Sequence, residues 1–135
     1  MFSYKITCTE VDPAGVEEEV TKSLYFNLTQ GDMVKLNLEK NGKLEELLKE
    51  MEENKDTEAM LKTLETIILT AYGVKDSEGF FVKNQKYTDR FKASNAYSEF
   101  FIKLVSEEIN PVTFILEIMP KKIATEVAAK MGVNK

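Results

Sequence analysis

A chain of 135 residues is the size of one ordinary domain, able to bury roughly two-thirds of its unfolded surface. Hydrophobic content of 43% beside 30% charged residues excludes a disordered chain, so a packed core is expected. The formal net charge of −5, with 18 basic residues interspersed among 23 acidic ones, argues against a nucleic-acid binder, whose affinity comes from clustered Lys and Arg, and is too modest for a nucleic-acid mimic.

Cys8 is the one cysteine and has no partner for an internal disulfide. The start Met1-Phe2-Ser3-Tyr4-Lys5 lacks the basic and then apolar run of a secretory signal, and no stretch approaches the ~18 apolar residues of a membrane span. A cytoplasmic protein without membrane contact is the expectation.

Phe2, Tyr4, Ile6 and Cys8 alternate with polar residues, the period of a strand with one buried face. Val20, Leu24, Phe26 and Leu28 repeat the pattern, interrupted by Lys22, and Asp12-Pro13-Ala14-Gly15 supplies the turn between the two runs. Residues 1–28 therefore read as a β-hairpin. A hairpin is marginal alone, so its apolar face must lie on its own helices or on another chain.

Leu24-Tyr25-Phe26-Asn27-Leu28-Thr29 is the join at which alternation gives way to helical period. Thr29 can cap the first helix, Asp32 places negative charge beside its orphan N–H groups, and Leu28 with Met33 has the spacing of a hydrophobic staple. This helix is predicted from Thr29 to Glu39, stopping at Asn41-Gly42. In a second, Leu44, Leu47, Leu48 and Met51 share one face. Its carboxylate-rich outer face, from Glu45 to Glu53, reads as a solvated surface, because no loop of oxygen ligands surrounds it. Asp56 is the expected cap of the core helix, whose stripe of Met60, Leu61, Leu64, Ile67, Ile68, Ala71 and Tyr72 runs to Gly73.

The loop Asp76-Ser77-Glu78-Gly79 is no calcium loop, since the twelfth position from Asp76, which needs a bidentate Glu, is Tyr87. The following Phe80-Phe81-Val82 is expected to fold under the helices, the alternative being an exposed patch for a partner. A short helix spans Gln85 to Lys92, and Ser94 caps another carrying Tyr97, Phe100, Phe101, Leu104 and Val105. Asn110-Pro111 opens a helix with Val112, Ile115, Ile118 and Met119 inward, closed by Pro120. A net-positive amphipathic tail follows, with Ile123, Val127 and Met131 on one stripe, ending at Gly132.

The fold class is α+β, mainly α: an N-terminal β-hairpin (1–28) and a compact bundle of five to seven helices (29–120) in one domain, with residues 121–135 as a C-terminal tail. Histidine is absent, which removes the commonest general base and zinc ligand, and the single cysteine removes thiolate metal sites. The six glycines are scattered singly, so no phosphate-binding loop is formed. No catalytic residue, metal ligand or cofactor site stands out; a binding or assembly role survives elimination, and enzymatic activity is not expected.

The segments Leu24–Thr29, Ala71-Tyr72-Gly73-Val74-Lys75 with its Asp76–Gly79 loop, Ser94-Asn95-Ala96-Tyr97-Ser98-Glu99-Phe100-Phe101, and Ile109 to Pro120 together resemble the tail assembly chaperones of long-tailed phages of Gram-positive hosts. The likeness covers about residues 23–120 and leaves out the hairpin before Val20 and the tail. It implies a small helical protein of the host cell cytoplasm, absent from the mature virion, that keeps the tape measure protein soluble and recruits tail tube subunits, with self-association a possibility. It also implies a frameshifted longer form, for which a slippery adenine run could encode Lys121-Lys122. The family supplies no active-site residues. Partner-binding candidates from the residues themselves are Phe80 and Phe81 in the loop and Ile123, Val127 and Met131 in the tail. Competing readings are a structural connector or completion protein of the tail and an acidic inhibitor of a host protein.

Overall fold

The computed structural model describes residues 1–38, 42–53 and 57–131. Strands β1 (Phe2–Val11) and β2 (Glu17–Phe26) form the expected hairpin, with Phe2 opposite Phe26 and Val11 opposite Glu17. Seven helices follow among the described residues: α1 (Gln30–Lys35), α2 (Lys43–Glu52), α3 (Glu58–Ala71), α4 (Gln85–Lys92), α5 (Asn95–Val105), α6 (Pro111–Ile118) and α7 (Lys121–Met131). Between α3 and α4 lie β3 (Tyr72–Lys75) and β4 (Phe81–Val82), which extend the hairpin to a four-stranded sheet in the order β1-β2-β3-β4, with antiparallel neighbours throughout. The fold is mainly helical, with helices packed on one face of the sheet and its other face open.

Alternation decides which face is which. Ile6, Cys8, Leu24 and Phe26 are buried against the helices, whereas Lys5, Thr7, Thr9, Thr21 and Ser23 are exposed on the other side. Phe26 is the hub of an aromatic core: Phe100 stacks on it at 4.8 Å between ring centroids, while Phe114 at 5.3 Å, Tyr72 at 5.8 Å and Phe91 at 6.0 Å meet it edge-on. Such pairs contribute about 0.5–1.5 kcal/mol each beyond the area they bury. The hairpin root thus packs within its own chain, on α5 and α6.

The join after β2 is held from both sides. Asn27 N–H donates to Ala71 O at 2.9 Å and Leu28 N–H to Ile118 O at 2.6 Å, tying it to the ends of α3 and α6. Thr29 and Asp32 form a full capping box, in which Asp32 N–H donates to Thr29 Oγ1 (3.1 Å) and Thr29 N–H to Asp32 Oδ2 (2.9 Å). Leu28 and Met33, the staple pair, are both buried.

Helix α1 is shorter than the sequence suggests. Asn37 takes the left-handed conformation (φ 57°), Leu38 N–H donates to Met33 O and Asn37 N–H to Val34 O, a Schellman stop reinforced by buried Met33 and Leu38. The helix therefore ends at Lys35, four residues before the expected Glu39, which with Asn41 lies outside the described residues. Asp56 also lies outside them; the cap of α3 is Thr57, whose hydroxyl accepts from Met60 N–H at 3.1 Å.

The expected helical role of Tyr72 and Gly73 gives way to strand. Tyr72 opens β3, and Gly73 is required by close approach: a Cβ there would lie 2.6 Å from Phe81 Cε1 and 2.8 Å from the Val82 carbonyl oxygen. The Phe80-Phe81-Val82 run does not fold under the helices. Phe80 is exposed, while Phe81 and Val82 are half-buried as an edge strand. A hairpin turn at Asp76–Gly79 pulls the run out to pair with β3, an outcome that hydrophobicity alone does not encode.

The remaining elements follow their sequence signals. Ser94 and Asn110 cap α5 and α6 by accepting from Tyr97 and Thr113 N–H, and Pro111 opens α6. Helix α7 lies on α2 and α6 and buries Ala124, Val127 and Ala128. Gly132, its expected terminus, is outside the described residues.

Candidate interaction surfaces

Phe80 and Phe81 are neighbours with different fates, and the turn before them is the reason. One carboxylate oxygen of Asp76 accepts from both Glu78 and Phe80 N–H at 2.9 Å, Gly79 N–H donates to Asp76 O, and Gly79 takes φ 85°. Asp76 N–H in turn donates to Phe80 O at 2.9 Å, which closes the hairpin and holds Phe80 at its tip with 65% of its surface exposed. Phe81, one residue on, turns to the open face of the sheet and lies over Gly73 beside half-buried Tyr25. Lys75 Nζ sits 4.8 Å from the Tyr25 ring centroid, a cation–π contact on the same face.

The base of this hairpin is anchored to the start of α1. Lys83, which follows β4, reaches Asp32 Oδ2 at 2.5 Å, with both side chains largely covered. Burial works to raise the Asp32 carboxyl, but the Lys83 hydrogen bond, the Thr29 backbone donor and the Lys83 charge outweigh it and hold it below the ordinary carboxylate value. The capping carboxylate is thereby also the tether of the second hairpin.

The tail candidates lie elsewhere. Val127 is 5% exposed, and Ile123 and Met131 are partly buried against the core. Ile123 and Val127 line a groove of about 400 Å³ between α2 and α7 with Leu38 and Leu44, rimmed by Glu45 and Lys130, whose charged ends are 3.8 Å apart. A second groove, about 770 Å³, runs along the start of α7 beside Met1, Thr29 and Met119. The fold brings Ile123 and Val127 to one groove and sets Phe80 and Phe81 on a separate hairpin.

A polar cleft of about 510 Å³ between α3 and α4 is lined by Glu65, Tyr72, Lys83, Asp89 and Lys92. Its polar groups largely answer one another, Lys92 pairing with Glu65 at 3.7 Å and the neutral Gln85 amide donating to Asp89 at 2.8 Å. Cys8 is buried in the sheet, and burial followed by the Glu10 charge pushes its thiol up, the opposite of what a nucleophile needs.

The first hairpin has a turn of the same construction as the second. Asp12 Oδ1 accepts from Ala14 and Val16 N–H at 2.9 Å, Gly15 takes φ 83°, and Val16 stands exposed after it. Exposed Val11 and Val16 beside Glu17-Glu18-Glu19 form a surface the sequence reading did not single out. Its signal was present: the span from Glu10 to Glu19 holds five carboxylates and no cation.

No curated protein and no solved structure matches the chain. Residues 1–134 match the family described as phage tail assembly chaperone, so the likeness extends over the β1–β2 hairpin and α7, which the sequence resemblance had left out. With all but one of its residues inside that match, the chain belongs to the phage tail assembly chaperone family.

Proposed function

We propose that this chain binds the tape measure protein of a long-tailed phage of a Gram-positive host, keeps its apolar helices in solution in the host cytoplasm, and helps bring tail tube subunits to it. It acts by binding alone, as no enzyme, and leaves before the virion is mature. The observation that carries this reading is Phe80, a large apolar side chain held 65% exposed on a hairpin tip that two backbone donors to Asp76 make rigid. Chaperoning an elongating apolar partner calls for many weak, reversible contacts, which exposed anchors and shallow grooves provide and a deep pocket does not. The grooves flanking α7 offer further apolar surface, and self-association would multiply such anchors along a long partner.

Co-expression with the tape measure protein of the same genome tests the proposal. The tape measure protein is expected to be soluble with this chain, to precipitate without it, and to lose most of that protection when Phe80→Ser replaces the wild type. Because Phe80 is exposed, the variant's own stability should stay within about 0.5 kcal/mol. Equal solubility with and without the chain would sink the proposal.

A further inference from the structure

The β1–β2 hairpin carries a surface that tape measure binding through Phe80 does not use. Asp12 N–H donates to Val16 O, and the register then pairs Val11 with Glu17, Glu10 with Glu18 and Thr9 with Glu19. Opposed pairs in an antiparallel ladder alternate between bonded and non-bonded. The even residues of β1 therefore spend their N–H and C=O groups on β2, and those of Ser3, Lys5, Thr7, Thr9 and Val11 point the other way. The Asn95 side chain shows the same direction by donating to Thr9 O. No described strand pairs with this side of β1, so an edge of backbone donors and acceptors runs along it.

Charge indicates what such an edge would accept. Glu10, Asp12, Glu17, Glu18 and Glu19 equal in number the whole formal net charge of −5. Glu10 and Glu18 stand directly opposite each other, an arrangement that destabilises a ladder, and Lys22 answers Glu10. Val11, on the edge strand itself, is 57% exposed, and Val16 at the tip 58%. Toward the hairpin root the sign reverses at Lys5. A second copy of β1 would be a poor complement, since residues 2–11 contain one cation, Lys5, and one carboxylate, Glu10.

We infer that the β1 edge takes up an extended, basic segment of another polypeptide as an added strand. Its main chain pairs with the outward groups of Ser3, Lys5, Thr7 and Val11, displacing Asn95 where it reaches Thr9 O, its cations meet the tip carboxylates, and an apolar side chain covers Val11. The inference stands on the hairpin alone and holds whether or not Phe80 binds the tape measure protein.

Amide exchange of the full-length protein tests it, with an acetylated and amidated ten-residue peptide alternating lysine and valine as probe. The peptide should slow exchange at Lys5, Thr7 and Val11 at least tenfold, and a glutamate–valine peptide should not. Thr7→Pro removes one outward N–H and leaves the backbone hydrogen bonds to β2 in place, losing only the exposed hydroxyl contact of Thr7 with Thr21 at 2.9 Å, and proline is tolerated at such an edge; it should weaken binding at least tenfold. The double variant Glu17→Lys/Glu19→Lys should do the same and decides the matter if Thr7→Pro fails to fold. Binding without protection of β1 amides, or unchanged affinity in the variants, overturns the inference. So does protection of these amides in the free protein that rises with concentration, which would place a second copy on the edge.

Discussion

Replacing Asp32 tests how the two hairpins are coupled through the start of α1. Its carboxylate accepts from Thr29 N–H at 2.9 Å and from Lys83 at 2.5 Å, and the side chains of Asp32 and Lys83 are only 17% and 27% exposed. Losing half a capping box costs about 0.5–1 kcal/mol, and losing a partly buried charge-assisted bond about 1–2 kcal/mol, so Asp32→Ala should destabilise by about 2 kcal/mol. At ~2.1 cal/mol/K per residue the unfolding entropy of a chain this size is about 0.28 kcal/mol/K, which converts that loss to a fall in Tm of about 7 °C. Urea and thermal unfolding followed by circular dichroism measure both. A cycle with Lys83→Ala should give a coupling of about 0.5–1.5 kcal/mol. The folded-state carboxyl lies below its ordinary value, so its contribution is present above about pH 4 and is lost as pH falls through the folded-state value. The gap between wild type and Asp32→Asn should accordingly narrow from pH 7 to pH 3. A cost under about 0.5 kcal/mol for Asp32→Ala, or a gap that does not change with pH, refutes the reasoning.

Gly73→Ala sets a Cβ against the Phe81 ring and the Val82 carbonyl, and should cost about 1–3 kcal/mol in urea unfolding. In a Phe81→Ala background the same change should cost less, since the ring contact is gone and only the carbonyl remains; an equal cost would mean that the Val82 carbonyl, not the ring, selects glycine. The Tyr97 hydroxyl is buried without a hydrogen-bond partner, so Tyr97→Phe should be neutral or stabilise by up to about 1 kcal/mol. A loss above about 1 kcal/mol would show that the hydroxyl has a partner, with the Glu65 carboxylate, which after burial is the next cause of the raised Tyr97 pKa, as the nearest suspect.

Most helices were legible because their signals are local. The cap residues Thr29, Ser94 and Asn110, Pro111 at a first turn, and the stripe Leu44, Leu47, Leu48 and Met51 each require only residues within two turns, and each is used as read. The β1–β2 hairpin was legible for a similar reason: period-two alternation on both sides of Asp12–Gly15 sets turn, register and buried face together.

The second hairpin was not legible in this way. Phe80-Phe81-Val82 has the composition of a buried segment, and whether it folds inward or joins a sheet depends on a free edge of β2, which exists only once β2 is placed by its aromatic core. The same holds for the partner-binding candidates. One apolar stripe contains Ile123, Val127 and Met131, but only the position of α7 on α2 and α6 buries Val127 and leaves the others partly covered. Composition, capping and periodicity settled by themselves the β1–β2 hairpin and a set of amphipathic helices. The tertiary structure alone decided which apolar residues stay in water and which strand edge goes unpaired, because burial and edge pairing are relations between segments far apart in the chain.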